Sequence, residues 1–303
     1  MTACNSFRQV QRILQRPHAH WVGDGFHVYP VFAEKAFTKD VTPMLMFDYA
    51  APKTFPPRPD ERPLGVGQHP HRGFETVTIA FQGEVEHHDS TGKSGVIHPG
   101  DVQWMTAGRG IVHQEYHSQD FTETGGTFEM CQLWVNLPKK HKMVKPRYQA
   151  IKSKQIPTVT LTDDSTDESA AKPEARLIAG ELLDVKGPAK TYSPVNLWDV
   201  SLPNKKTTVE IPYPADHACI VFVRRGTVIV DGKKLNPQDV AIMKTDGESP
   251  TLKIDVLQSD SSVLIMGGEP IDEPIASMGP MVMNTQEELR QAFSDYRAGK
   301  FER

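Results

Sequence analysis

Two short stretches carry residue types that could do chemistry, at spacings that would bring them together. The first is HPHRGFE, residues 69–75, with His69 and His71 two apart. The second is AGRGIVHQEYH, residues 107–117, with His113 and Glu115 two apart. Side chains alternate across an extended strand, so residues at i and i+2 share a face. Each pair therefore points one way if its segment is a strand. Pro70 cannot donate to a ladder, which places the first pair on an edge or rim. Gly108 and Gly110 permit a tight turn before the second pair. A lone His-x-His is weak evidence, and the second pair is what makes the case. Two antiparallel strands of one barrel can bring the pairs face to face. Three imidazoles and one carboxylate suit a borderline divalent ion such as Fe, Ni, Cu, Mn or Zn. Four protein ligands leave positions free on an octahedral ion, as an oxygen-using or substrate-chelating centre requires.

The elements that must position these residues read as strands. VTIAF (77–81), EVEHH (84–88), QLWVNL (132–137), ACIVFV (218–223), TVIVDG (227–232) and VLIMG (263–267) are strand-length apolar or β-branched runs bounded by turn residues. Strands at this spacing predict an all-β sandwich or barrel. A weak internal repeat divides them. Residues 80–108 and 223–247 share one grammar: a strand, then Gly (83, 226), Val (85, 228) and a Pro-x-Asp-Val turn (99–102, 237–240). Two related β-domains follow, 1–145 and 146–303. Histidines crowd the first copy, while only His217 is near the second. The chemistry is therefore expected in the first half. One amphipathic helix is predicted near the C-terminal end. Thr285 and Glu288 form a capping box, and Leu289, Ala292, Phe293 and Tyr296 share one face. Residues 157–176 are acidic and read as a loop near the domain boundary. The basic run KKHKMVK (139–145) reads as a solvated linker.

The totals bound the partners. A chain of 303 residues with a net charge of −4 has no strong pull toward phosphate backbones or anionic lipid, so direct nucleic-acid binding is not expected. Cys4, Cys131 and Cys219 are far apart and odd in number, which is no disulfide framework and suits a reducing compartment. No apolar h-region or membrane-length run occurs. A cytoplasmic protein is expected, with a nuclear location also open to it in a eukaryote.

QHPHRGFETVTIAFQGEVEHHDSTG (68–92), HPGDVQWMTAGRGIVHQE (98–115) and QLWVNLP (132–138) resemble the pirin family of the cupin superfamily. HWVGDGF (20–26) and GGEPIDEPI (267–275) also fit, so the resemblance spans nearly the whole chain. It implies two tandem cupin (jelly-roll-like) β-barrels with a short C-terminal helix, and one metal, Fe(II), in the N-terminal barrel. It implies ligands at His69, His71, His113 and Glu115, and a metal-free second barrel. In many cupins the glutamate of the first motif is a ligand, and Glu75 holds that place with the parity of His69 and His71. The pirin pattern uses Glu115 instead, leaving Glu75 a supporting role. Of the remaining histidines, His87, His88, His98 and His117 are read as surface or hydrogen-bonded, with His117 past the rim. Phe74, Trp104, Met105 and Trp134 are read as packing residues, some of which could line a pocket above the metal. The activity implied is that of a quercetin 2,3-dioxygenase, acting on a flavonol-like aromatic substrate and O2, with Glu115 also serving as the base. The alternative implied is an iron-dependent, redox-sensitive regulatory protein that binds a protein partner. A monomer is expected.

Overall fold

The computed structural model describes residues 7–33, 38–90, 92–167 and 169–301. Its first strands are β1 (Val10–Leu14), β2 (His20–Val22), β3 (Phe26–Phe32), β4 (Met44–Phe55), β5 (Gly65–His71) and β6 (Phe74–Gln82). They continue with β7 (Val85–Asp89), β8 (Ser94–Ile97), β9 (Val102–Thr106), β10 (Ile111–His117), β11 (Gly126–Asn136) and β12 (Arg147–Ile151). The chain forms two compact units. One comprises Pro17–Ala33, Leu45–Ser153 and Ile271–Arg303; the other comprises Met1–Arg16, Glu34–Met44 and Lys154–Pro270.

The first of these units carries both histidine pairs. Its described strands form a seven-stranded sheet, β12-β9-β6-β11-β4-β3-β2, and a four-stranded sheet, β5-β10-β7-β8. Burial along the strands shows how the sheets differ. β6 is buried at seven consecutive positions, as befits a strand covered on both faces. β10 alternates buried and half-buried residues, so one face looks inward and the other outward. Phe26, Phe55, Val85, Phe121 and Phe128 belong to an apolar cluster of this unit.

The other unit repeats the plan, with one seven-stranded and one four-stranded sheet. Its core includes Trp198, Tyr213, Val221, Ile254 and Ile265. The repeat read in the sequence is thus a repeat of the cupin architecture. Cys131 and Cys219 are buried thiols, and Cys4 lies outside the described residues. No helix among the described residues is long and apolar enough to cross a membrane.

The units do not follow a single cut between residues 145 and 146. β1 pairs antiparallel with Val240–Met243, inside the second unit. The C-terminal hairpin, Ala276–Met278 with Met281–Met283, and the helix Gln286–Arg297 fall in the histidine-bearing unit. Local sequence patterns report strands and helices but not which distant edge each completes. The helix has the capping box expected of Thr285 and Glu288, and buries Leu289 and Ala292. Two segments differ from expectation. Thr158–Thr160, in the acidic stretch, is a short strand paired with Glu174–Ala179. Lys142, in the basic run, is buried rather than solvated, with its Nζ donating to Gly73 O, Asn136 Oδ1 and Val282 O.

Candidate metal centre

β5 and β10 run antiparallel, and their register sets His113 directly opposite His69 and Ile111 opposite His71. A register shift follows between His113 and Glu115, so that Glu115 lies opposite Val66. On its other side β10 pairs with β7, which places His87 across from Glu115. The inward face of β10 carries Ile111, His113, Glu115 and His117, as the alternation requires.

One nitrogen from each of His69, His71 and His113 lies within 4.8 Å of the others. The ring centroids stand 4.3 Å apart for His69–His113 and 4.9 Å for both other pairs. His71 and His113 are buried, and neither ring nitrogen of either has a protein hydrogen-bond partner. Buried polar atoms are nearly always paired, so two such unpartnered rings beside His69 mark a place for a ligand that accepts a lone pair from one nitrogen of each. His69 Nδ1 sits 2.9 Å from Gly67 O, and in the tautomer that donates to that carbonyl Nε2 is the nitrogen that could serve a metal. Burial, then the neighbouring His113 and His69, push the His71 pKa well below its ordinary value. Burial, then His69 and His87, do the same to His113. Both rings are thereby held neutral, the form a metal needs. The donor set fits a divalent ion of the borderline class.

Glu115 is buried beside this group but is not one of its three members. Both its carboxylate oxygens lie 3.1 Å from Gln132 Nε2, which donates to them. The amide of Gln132 also lies 3.4 Å from Thr78 Oγ1. Gln132 was not singled out in the sequence, although it shares parity with Trp134 on β11. That parity was the available signal. Phe74 and Trp134 cover one side of His71, with centroids at 5.1 and 5.4 Å.

Glu75 does not join the group. Arg72 and Gly73 separate β5 from β6, and Gly73 takes φ +88°, so the parity carried from His71 is broken there. Phe74 packs on His71, and the next residue, Glu75, projects from the opposite face of β6. There Thr106 Oγ1 donates to Glu75 at 2.6 Å. Burial raises the Glu75 pKa to about 7.

His117 is not past the rim. It is buried among Phe26, Phe55, Phe121 and Phe128, with Nε2 donating to Gly25 O at 3.0 Å. Burial lowers its pKa to about 4. His88 pairs with Glu86, and His98 with Glu84, as surface histidines do. His87 is buried and stacked on Tyr148, with ring centroids 5.1 Å apart.

Two cavities flank the four-stranded sheet. A groove of about 610 Å³ is lined by His87, Lys93, Gly95, Gln103 and Tyr148, among others. A larger cavity, about 810 Å³, is lined by Asp24, Arg62, Glu86, His88 and Tyr116. Glu86, His88 and Tyr116 have the parity opposite to His87 and Glu115, which puts the larger cavity on the outward face, away from His69, His71 and His113.

Comparison with known proteins agrees with this architecture. The family model described as Pirin matches residues 25–135, and the Pirin C-terminal cupin domain matches residues 197–302. A Pseudomonas aeruginosa protein provisionally named quercetin 2,3-dioxygenase is 48% identical over 294 residues, 97% of this chain and 98% of that one. Pirin of Homo sapiens is 35% identical over 274 residues, 88% of this chain and 85% of its own. The crystal structure of quercetin 2,3-dioxygenase from Acinetobacter baumannii matches with a TM-score of 0.90 at 46% identity, covering 97% of this chain and 98% of that chain. With a three-histidine group in the first cupin unit and both family models matched in tandem, the chain belongs to the pirin family.

Proposed function

We propose that this chain is a mononuclear metal-dependent dioxygenase that opens flavonols such as quercetin with O2, with Fe(II) as its ion. The observation that carries the reading is the convergence of His69, His71 and His113 with four buried ring nitrogens left without protein partners. These three residues would hold the ion, with Glu115 as the fourth, anionic ligand. By ligand type, Ni, Cu, Mn or Zn would also bind, and the pirin resemblance is the reason for preferring iron. When bound, the ion supplies Lewis acidity toward a flavonol hydroxyl and electron transfer with O2.

The chain's own residues do the rest. Glu115 takes the substrate hydroxyl proton as general base. Gln132 holds that carboxylate by both oxygens and so fixes its aim. Phe74 and Trp134 keep water from the His71 side. The groove beside His87 has the volume of a small-molecule site. The quercetin dioxygenase names of the Pseudomonas and Acinetobacter relatives point the same way. This reading describes a cytoplasmic monomer taking an aromatic substrate and O2.

The test is anaerobic purification and iron loading, then oxygen uptake with quercetin, comparing wild type with His69→Ala and Glu115→Ala. Metal-dependent uptake abolished in both variants supports the dioxygenase centre. Stoichiometric metal with no uptake in the wild type moves the reading to a redox-sensitive protein that binds a partner. Unchanged metal content in both variants overturns the ligand set.

A further inference from the structure

The metal ligands sit on β5 and β10, and the same C-terminal segment touches the backbone beside both. Next to His71, Arg72 forms a bridge with Met281: Val282 N donates to Arg72 O at 3.0 Å, and Arg72 N to Pro280 O at 3.4 Å. A Cβ on Gly73 would collide with the Val282 carbonyl, so glycine is what lets the two backbones meet. Lys142 Nζ ties the same point together by donating to both Gly73 O and Val282 O.

The Arg72 side chain then reaches the C-terminal helix. It is buried, its Nη1 lies 2.8 Å from Asp295 Oδ2, and its guanidinium sits 4.3 Å over the Phe301 ring. Phe301 also covers the entrance to β10. A Cβ on Gly110 would stand 2.8 Å from that ring, and Val112 packs against the cluster of Met281, Leu289, Ala292 and Phe301. Val112 is followed directly in the chain by His113.

We propose that the C-terminal hairpin and helix form a clasp that positions the two ligand strands, so that metal binding and docking of residues 276–301 strengthen each other. Arg72 is the positioning residue, and Asp295 and Phe301 hold it. A segment that fixes the spacing of β5 and β10 favours the ligand geometry the ion needs, and the ion in turn fixes the surface that the segment packs on. Such coupling is reciprocal by linkage. It extends the metal reading given above and rests on it.

The experiment uses the full chain, stripped of metal and titrated with Ni(II) against a chromophoric chelator. Asp295→Asn and Phe301→Ala act from outside the ligand group. Each is expected to weaken Ni(II) binding by about tenfold, with Asp295→Glu restoring most of it and the far-ultraviolet circular dichroism of the apo forms unchanged. Hydrogen exchange on the wild type supplies the reciprocal readout, in which Ni(II) slows exchange of the amides of Gln286–Arg297. That readout stands even where a variant fails to fold. Equal Ni(II) affinity in wild type and both variants, or helix exchange indifferent to Ni(II), overturns the clasp while leaving the metal centre intact. A wild type that binds no Ni(II), Fe(II) or other divalent ion overturns the metal centre and the clasp with it.

Discussion

His69 and His113 stand directly opposite each other in the register of β5 and β10, with their rings 4.3 Å apart. Cross-strand neighbours are the closest approach a sheet offers, so this one pairing does most to assemble the site. His71, two residues along β5, completes the group from the same face.

Replacing a member of that group should cost more than replacing its support. His113→Ala removes an imidazole within 4.9 Å of both others. Loss of an outer partner typically costs 10–100-fold in metal affinity. His113→Ala is expected to exceed about 100-fold on that scale. Metal titration of the purified variant checks it, and wild-type affinity would remove His113 from the ligand set.

Gln132→Leu keeps the approximate volume but takes away the amide that holds both oxygens of Glu115. A buried carboxylate left without its donor loses its fixed aim. Metal affinity is expected to fall by about 10–100-fold, with oxygen uptake on quercetin falling as well. Gln132→Glu should be worse, because it sets a like charge against Glu115. An unaltered affinity in Gln132→Leu would show that Glu115 needs no such support.

Glu75→Gln separates the two candidate carboxylates. Glu75 is on the far face of β6, so the variant should bind metal within about twofold of wild type, a change of less than 1 kcal/mol. It should also change the pH dependence of stability. Burial raises the Glu75 pKa from 4.5 to about 7, so its contribution is full below the unfolded value and is lost as pH rises through about 7. Denaturant midpoints of the apo protein between pH 4.5 and 8 should therefore decline less with rising pH in Glu75→Gln than in wild type. A large loss of metal in this variant would instead make Glu75 a ligand.

His117 predicts the opposite slope. Burial lowers its pKa from 6.5 to about 4, so its contribution is full above pH 6.5 and is lost as pH falls toward about 4. The span corresponds to roughly 3 kcal/mol. His117→Phe keeps an aromatic ring among Phe26, Phe55, Phe121 and Phe128 but leaves the Gly25 carbonyl without its donor. The variant should start about 1–3 kcal/mol less stable at pH 7, and lose less than wild type on going to pH 4. Parallel acid limbs for the two proteins would mean that His117 is not a source of acid lability.

The chemistry was legible in the sequence because strand parity is a local rule. His69 with His71, and His113 with Glu115, follow from alternation alone, and so do the strands that carry them. The repeated Gly-Val-Pro-x-Asp-Val pattern likewise announced two units of one plan. Parity holds only within an unbroken strand, however. Gly73 at positive φ ends β5, and the alternation that seemed to align Glu75 with His71 does not cross it. The register shift beside His113 and Glu115 lies in β5 while β10 keeps its alternation, so Glu115 faces inward with His113 yet stands opposite Val66 rather than a histidine.

Other assignments depended on contacts between residues far apart in the chain. Lys142 lay in a basic run that composition marks as solvated, yet three acceptors brought from residues 73, 136 and 282 bury it. Gln132 acquires its role only when β11 is laid beside Glu115. The C-terminal helix was predictable from its capping box and apolar face, but Arg72 and Phe301 decide where it docks. By itself the sequence determined the strands, the repeat and the two candidate pairs, since these depend on neighbours a few residues apart. The tertiary structure alone decided which histidines meet, which carboxylate is buried beside them and which terminal segment packs next to their strands, because strand pairing and long-range hydrogen bonds leave no periodic mark on the chain.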